Sequence, residues 1–121
     1  MKFLLSLLFV CSLCNFKAQT NGNEQGQQVP IYLFAQCMYE IEDKTAFMEL
    51  ESQFRLNPNV KVVRFDWSTK RVFVLIQNKS SLSELEFRAW FNDNSALPTC
   101  VQIGVHGIDT VKPYPFTNCN N

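Results

Sequence analysis

Few side chains in this sequence have the chemistry to make or break bonds. Five cysteines stand at positions 11, 14, 37, 100 and 119, with one histidine at 106 and a carboxylate run at Glu40, Glu42 and Asp43. Thiolates can attack as nucleophiles, ligate a soft ion or oxidise to a disulfide. An imidazole can serve as base or ligand, and neighbouring carboxylates can divide acid and base roles. Spacing selects among these. His106 has no serine or cysteine set against it by a recognisable local pattern, so it reads as a solvent-facing side chain. The carboxylates precede a helical pattern, where negative charge complements free backbone N–H groups. With no catalytic constellation in the pattern, the expectation is a protein that is not an enzyme, and the cysteines are the residues to place.

Two of them fall in a targeting segment. Residues 1–18 begin Met1-Lys2, run almost wholly apolar from 3 to 14, and end Asn15-Phe16-Lys17-Ala18. A positive start, an apolar stretch of about a dozen residues and a small residue at the cut make a secretory signal peptide, cleaved before Gln19. A lipidated cysteine would need a small residue ahead of Cys11 or Cys14, where Val10 and Leu13 stand. Removing the segment leaves Cys37, Cys100 and Cys119, with nine basic against eleven acidic side chains. The mature chain is then exported, periplasmic or secreted, and three thiols in an oxidising compartment give one disulfide and one cysteine left over. A slight negative charge offers no footprint for nucleic acid, and no apolar run reaches the roughly 20 residues of a membrane span. An aromatic share of 13% speaks for a packed core rather than disorder.

The elements that hold these cysteines follow from periodicity. Residues 19–28 carry two glycines and no apolar side chain, a flexible leader. One domain is expected over 29–107, with a tail over 108–121. Residues 29–38 are nearly continuously apolar, as in a strand buried on both faces. Ala46, Phe47, Leu50 and Phe54 recur at helical spacing within 43–56, with Asp43 as N-cap and Asn57-Pro58-Asn59 as the stop. Segments 60–67 and 71–77 are β-rich and joined by Ser68-Thr69-Lys70. A second helix over 81–92 opens with Ser81 and Glu84 in capping-box spacing, and 100–105 alternates as an edge strand.

Strand, helix, strand, strand, helix, strand points to an α+β fold. The commonest arrangement is a ferredoxin-like βαββαβ sandwich, antiparallel sheet order 4-1-3-2, with both helices on one face. The first and third strands are the most apolar and therefore central. The first and fourth are then antiparallel neighbours, which brings Cys37 and Cys100 within bridging reach. That pair leads, closing a long loop at about 2 to 4 kcal/mol. Cys100 with Cys119, tethering the tail, is the alternative.

Within LNPNVKVVRFDWSTKRVFV at 56–74, the residues Leu56, Pro58, Val60, Val63, Phe65, Asp66, Val72 and Val74 form one pattern, and Leu85 and Ala89 extend it into the second helix. This pattern resembles the heavy-metal-associated domain family, and the resemblance implies the same ferredoxin-like fold. In that family a Cys-x-x-Cys pair at the end of the first strand converges on Cu(I) or Zn(II). The matching stretch here is Cys37-Met38-Tyr39-Glu40, so Glu40 stands at the second thiol position; counted from the helix, the pair falls on Asp43 and Ala46. The motif is degenerate, and neither metal nor cofactor is expected. The resemblance leaves one alternative, a degenerate periplasmic metal-binding or metallochaperone-like domain holding Cu or Zn through Cys37, Met38 and a further soft ligand.

Period-two alternation assigns the faces. With Ile31, Leu33, Ala35, Val63, Phe65, Val72, Val74 and Ile76 toward the helices, Tyr32, Phe34, Val62, Arg64, Phe73 and Leu75 fall on the open side. An apolar, aromatic patch there marks a partner or self-association surface. The tail is a competing claimant, because Ile108, Val111, Tyr114, Pro115 and Phe116 can lie across this face and finish the core. RNA-recognition motifs also carry aromatics on these strands, but residues 70–74, KRVFV, lack that motif's glycines. The expectation is a small exported, non-catalytic domain that binds a protein partner or a second copy of itself through the open face.

Overall fold

The fold is given by a computed structural model that describes residues 29–117 and Cys119. The signal peptide and leader expected over 1–28 lie outside the described residues. From Ile31 onward the chain forms one unit. Its elements are β1 (Leu33–Met38), α1 (Lys44–Arg55), β2 (Val60–Asp66), β3 (Arg71–Ile76), α2 (Glu84–Ala89), a 3-10 turn (Asn92–Asn94) and β4 (Thr99–Val105). All ladders are antiparallel, β1 pairing with β3 and β4, and β2 with β3. The order is β2-β3-β1-β4, which from the other edge reads β4-β1-β3-β2. Among the described residues no helix is long and apolar enough to cross a membrane.

Each element has a local cause. Asp43 caps α1, its Oδ1 accepting from the backbone N–H of Thr45 at 2.9 Å and of Ala46 at 3.3 Å. The buried stripe of α1 is Phe47, Leu50 and Phe54, while Ala46, assigned to it from the spacing, is exposed. The second helix starts two residues later than the Ser81 spacing predicts. Ser83 is its N-cap, accepting from the Glu86 N–H at 3.0 Å and donating to Glu86 Oε1 at 3.4 Å. Burial decides between the two frames. With Ser83 as cap, Leu82 and Phe87 occupy the hydrophobic-staple positions, and both are buried. With Ser81 as cap, the later staple position would fall to Leu85, which is 79% exposed.

β1 is shorter than the apolar run at 29–38. Leu33 lies opposite both Ile76 and Val105, where β3 and β4 end, so Ile31 has no ladder to join and is exposed rather than facing the helices. One pleat face of the sheet carries Leu33, Ala35, Cys37, Val63, Phe65, Val72, Val74 and Ile76 into a single core with the helices. Its centre is aromatic: Phe54 meets Phe65 at 5.1 Å and Phe91 at 5.0 Å edge-on, and Phe47 meets Phe65 at 5.2 Å. Such edge-to-face pairs contribute about 0.5 to 1.5 kcal/mol each beyond area burial. Leu56 and Leu85, two residues of the family-like pattern, lie outside this core and are exposed.

β2 is an outer strand and is blunted. The register slips between Val60 and Val62, and Glu51 on α1 reaches across so that its Oε2 accepts from the Phe65 N–H at 2.7 Å. A bulge and a satisfied donor remove much of the template that an edge presents to another strand.

Candidate functional site

The face away from the helices is built from alternate residues of all four strands. β1 presents Phe34 and Gln36, β3 presents Arg71, Phe73 and Leu75, β2 presents Val62, Arg64 and Asp66, and β4 presents Gln102 and Gly104. Phe34, expected on the open side with the tail as a competing cover, is fully buried. Its ring stacks with Phe73 at 6.2 Å and 9° and lies over Gly104 on the neighbouring strand. The cover on this side is the tail.

The tail turns back directly after β4. Gly107 takes φ +82, the N–H groups of Ile108 and Asp109 donate to the Val105 carbonyl at 3.1 and 2.9 Å, and Asp109 Oδ2 accepts from the Val105 N–H at 2.7 Å. The segment then crosses β4 toward β1, held by two glutamines. Gln102 Nε2 donates to the Thr110 carbonyl at 2.8 Å, and its Oε1 accepts from the Lys112 N–H at 3.0 Å. Gln36, fully buried, donates to Gln102 Oε1 at 2.7 Å and to the Lys112 carbonyl at 3.0 Å. Arg71 Nη2 donates to Gln36 Oε1 at 2.8 Å, and the Phe116 ring centre lies 5.7 Å from the guanidinium carbon. The tail therefore covers the β1–β4 half of the face through amide-to-backbone hydrogen bonds and the partly buried Val111 and Phe116, while Ile108 is 78% and Tyr114 44% exposed.

The cysteines resolve differently from the leading expectation. The disulfide joins Cys100 to Cys119, and Cys37 is free and buried. The reason is a bulge. Gln36 faces Gln102 and Met38 faces Thr99, so two residues of β4 stand against Cys37. Cys100 is at φ +55, the left-handed conformation found in one class of such bulges. Cys37 keeps to the helix-side core, where desolvation pushes its thiol far above the ordinary value, with the Arg88 charge only partly offsetting this. Burial favours the protonated thiol over the thiolate that attacks or ligates. Met38, the other residue of the metal alternative, follows Cys37 in the strand and so projects from the opposite face. Among the described residues no group of three or more His, Cys, Asp or Glu side chains converges as a metal site.

The β2–β3 half of the face stays open. Val62, Arg64, Asp66, Arg71 and Phe73 line a groove of about 450 Å³. Val62 is 50% exposed and the Arg64 side chain 79% exposed, with Asp66 as its ionic neighbour among the described residues at 3.9 Å. The Ser68 hydroxyl, donating to Asp66 Oδ1 at 2.7 Å, is the chief cause holding that carboxyl below its ordinary value. Arg71 Nε is buried without a hydrogen-bond partner among the described residues. Lys61 Nζ lies 5.0 Å from the Tyr32 ring centre, and Tyr32 and Leu75 are half-buried. A second hollow, lined by Glu40, Ile41, Glu42, Trp67 and Lys70, has Lys70 Nζ 2.7 Å from the Trp67 ring centre. His106 is exposed in the turn after β4.

Of the expected face residues, the structure keeps Val62, Arg64 and Phe73 together in the groove and buries Phe34 beneath the tail. The spacing missed Gln36, Gln102, Asp66 and Arg71. For Gln36 a signal existed, since a polar residue inside an apolar strand requires a hydrogen-bond partner. Comparison with known protein families, with curated proteins and with solved structures finds no match.

Proposed function

We propose that the protein is a small exported, ferredoxin-like, non-catalytic binding module that takes a protein partner, or a second copy of itself, on the β2–β3 strip of its sheet. The observation that carries this reading is the groove at Val62, Arg64, Arg71 and Phe73, the half of the open face that the tail leaves uncovered. Its apolar floor and two guanidinium groups against one carboxylate suit a segment that presents an apolar side chain beside a carboxylate, since complementary charge sets register and exposed apolar area supplies affinity. The four-strand order supports the ferredoxin-like description, and the Cys100–Cys119 disulfide is compatible with an oxidising compartment.

The test is cross-linking from a photoreactive residue at position 62 of the exported protein, with sedimentation of the purified protein over a range of concentration. A cross-linked species or a dimer that disappears with Arg64→Glu supports the reading. Cross-links and association that are absent, or indifferent to Arg64→Glu in a stable protein, overturn it.

A further inference from the structure

We propose that residues 108–117 are a strap latched by the Cys100–Cys119 disulfide, and that reduction of Cys100–Cys119 uncovers the β1–β4 half of the sheet, widening the binding face from the β2–β3 strip to all four strands. In its use for binding this rests on the function proposed above; the release itself does not.

The strap has a hinge, a span and a lock. The hinge is the turn at Gly107, anchored to Val105 by three hydrogen bonds, so that the strap can swing while β4 stays in the sheet. The span is held at Thr110 and Lys112 by three hydrogen bonds with Gln36 and Gln102, each of modest net worth because water competes for the same groups. Of its apolar side chains, Ile108 and Tyr114 are exposed, while Val111 and Phe116 are partly buried. The lock is at the far end, where the disulfide closes a separation of 19 residues. Loop closure of that length favours the docked strap by a factor on the order of a hundred over the same strap unlinked. The lock is therefore comparable in strength to the span that it secures, and its loss leaves the strap held by the span alone.

What the strap hides is already organised. Phe34 and Gln36 are fully buried beneath it, and Gln36 is held from the side by Arg71, outside the strap. Gln36 and Gln102 read the backbone of an extended segment, so the uncovered half suits an extended peptide continuing from the groove. The chemical step is thiol–disulfide exchange. An external dithiol supplies two electrons and two protons, the Sγ–Sγ bond breaks, Cys100 and Cys119 become thiols, and the dithiol closes to its own disulfide. Cys37 takes no part, because its thiol is buried on the other side of the sheet.

The experiment uses the full mature chain, oxidised, after dithiothreitol, and as Cys119→Ser. Amide exchange at Lys112 and chymotryptic cleavage after Phe116 report the strap, while amide exchange at Ala35 and Val74 reports the sheet. Reduction and Cys119→Ser are each expected to speed the strap readouts ten- to a hundredfold and to leave the sheet amides unchanged. Strap readouts that do not respond overturn the proposal. So does an equal acceleration of strap and sheet amides, which would make the disulfide a staple for the whole fold. Because these readouts lie within one chain, they succeed or fail independently of cross-linking at position 62.

Discussion

The ring of Phe34 occupies the space that a side chain on Gly104 would fill. The two residues are directly opposite in the β1–β4 ladder, and a Cβ at Gly104 would lie 2.8 Å from Cε1 and Cζ of the ring and 2.9 Å from Cβ of Asp109. Gly104 is a glycine because of this approach. It lets an aromatic ring lie flat on the sheet and the strap's first turn close over it.

Gly104→Ala is therefore expected to lower stability by about 1 to 3 kcal/mol, the usual range for overpacking. Urea unfolding of the single variant and of a Gly104→Ala, Phe34→Leu double variant checks it. The second substitution should recover part of the loss, and additive costs would show that the ring is not the obstacle.

Ser83 and Ser81 offer a direct comparison of two capping frames. Ser83→Ala should cost about 1 kcal/mol, the ordinary value of an N-cap hydroxyl, and Ser81→Ala less than about half of that. Thermal or urea unfolding of the two variants, side by side, measures the difference.

Glu51→Ala removes the acceptor that satisfies the Phe65 N–H on the outer strand. A loss of about 1 to 2 kcal/mol is expected, in line with a hydrogen bond to a charged group at a partly exposed site. Glu51→Gln should lose less, because it keeps an acceptor oxygen. Faster amide exchange at Phe65 in Glu51→Ala, with unchanged exchange at Val74, would localise the effect to the edge.

The buried thiol sets a high-pH limit on stability. Burial raises the Cys37 value in the folded protein above the ordinary 9.0, so the native state keeps a proton that the unfolded chain releases. The contribution is complete below that ordinary value and is lost as pH rises beyond it, at up to about 1.4 kcal/mol per pH unit. Tyr39, likewise raised by burial from 10.0, adds to the loss at higher pH. Stability measured from pH 8 to 11 should fall first above pH 9 in the wild type, and later in Cys37→Ala. The folded protein should also leave Cys37 unmodified by iodoacetamide at pH 8.

How much of this was legible before the structure depends on how local each cause is. The alternation at Val72, Val74 and Ile76 and the spacing of Phe47, Leu50 and Phe54 placed β3 and α1, because pleat and helix periods are local properties. The Ser83 frame was not legible, since Ser81 fits the same short spacing and only the burial of Leu82 and Phe87 separates them. The leading Cys37–Cys100 pairing fails, and the alternative Cys100–Cys119 holds, for a related reason. A regular ladder brings Cys37 and Cys100 together, and a bulge with Cys100 in the left-handed conformation sends Cys100 to Cys119 instead. Gln36 could be read as a polar residue requiring a partner, but that partner proved to be the backbone of Lys112, which no side-chain pattern announces.

The central position of β1 shapes how the chain acquires its structure. Leu33 pairs with Ile76 on one side and Val105 on the other, so the first strand has no neighbour nearby in sequence, whereas α1 and the β2–β3 hairpin close over short loops. Long closures carry their entropic cost before they gain contacts. Assembly should therefore begin around β2–β3 and α1, with β1 recruited onto β3 afterwards. β4 closes the exposed flank of β1 last, once residues 99–105 have been made. Premature termination before residue 99 would leave that apolar flank as a raw edge, and aggregation, rather than a smaller stable domain, is its physical outcome.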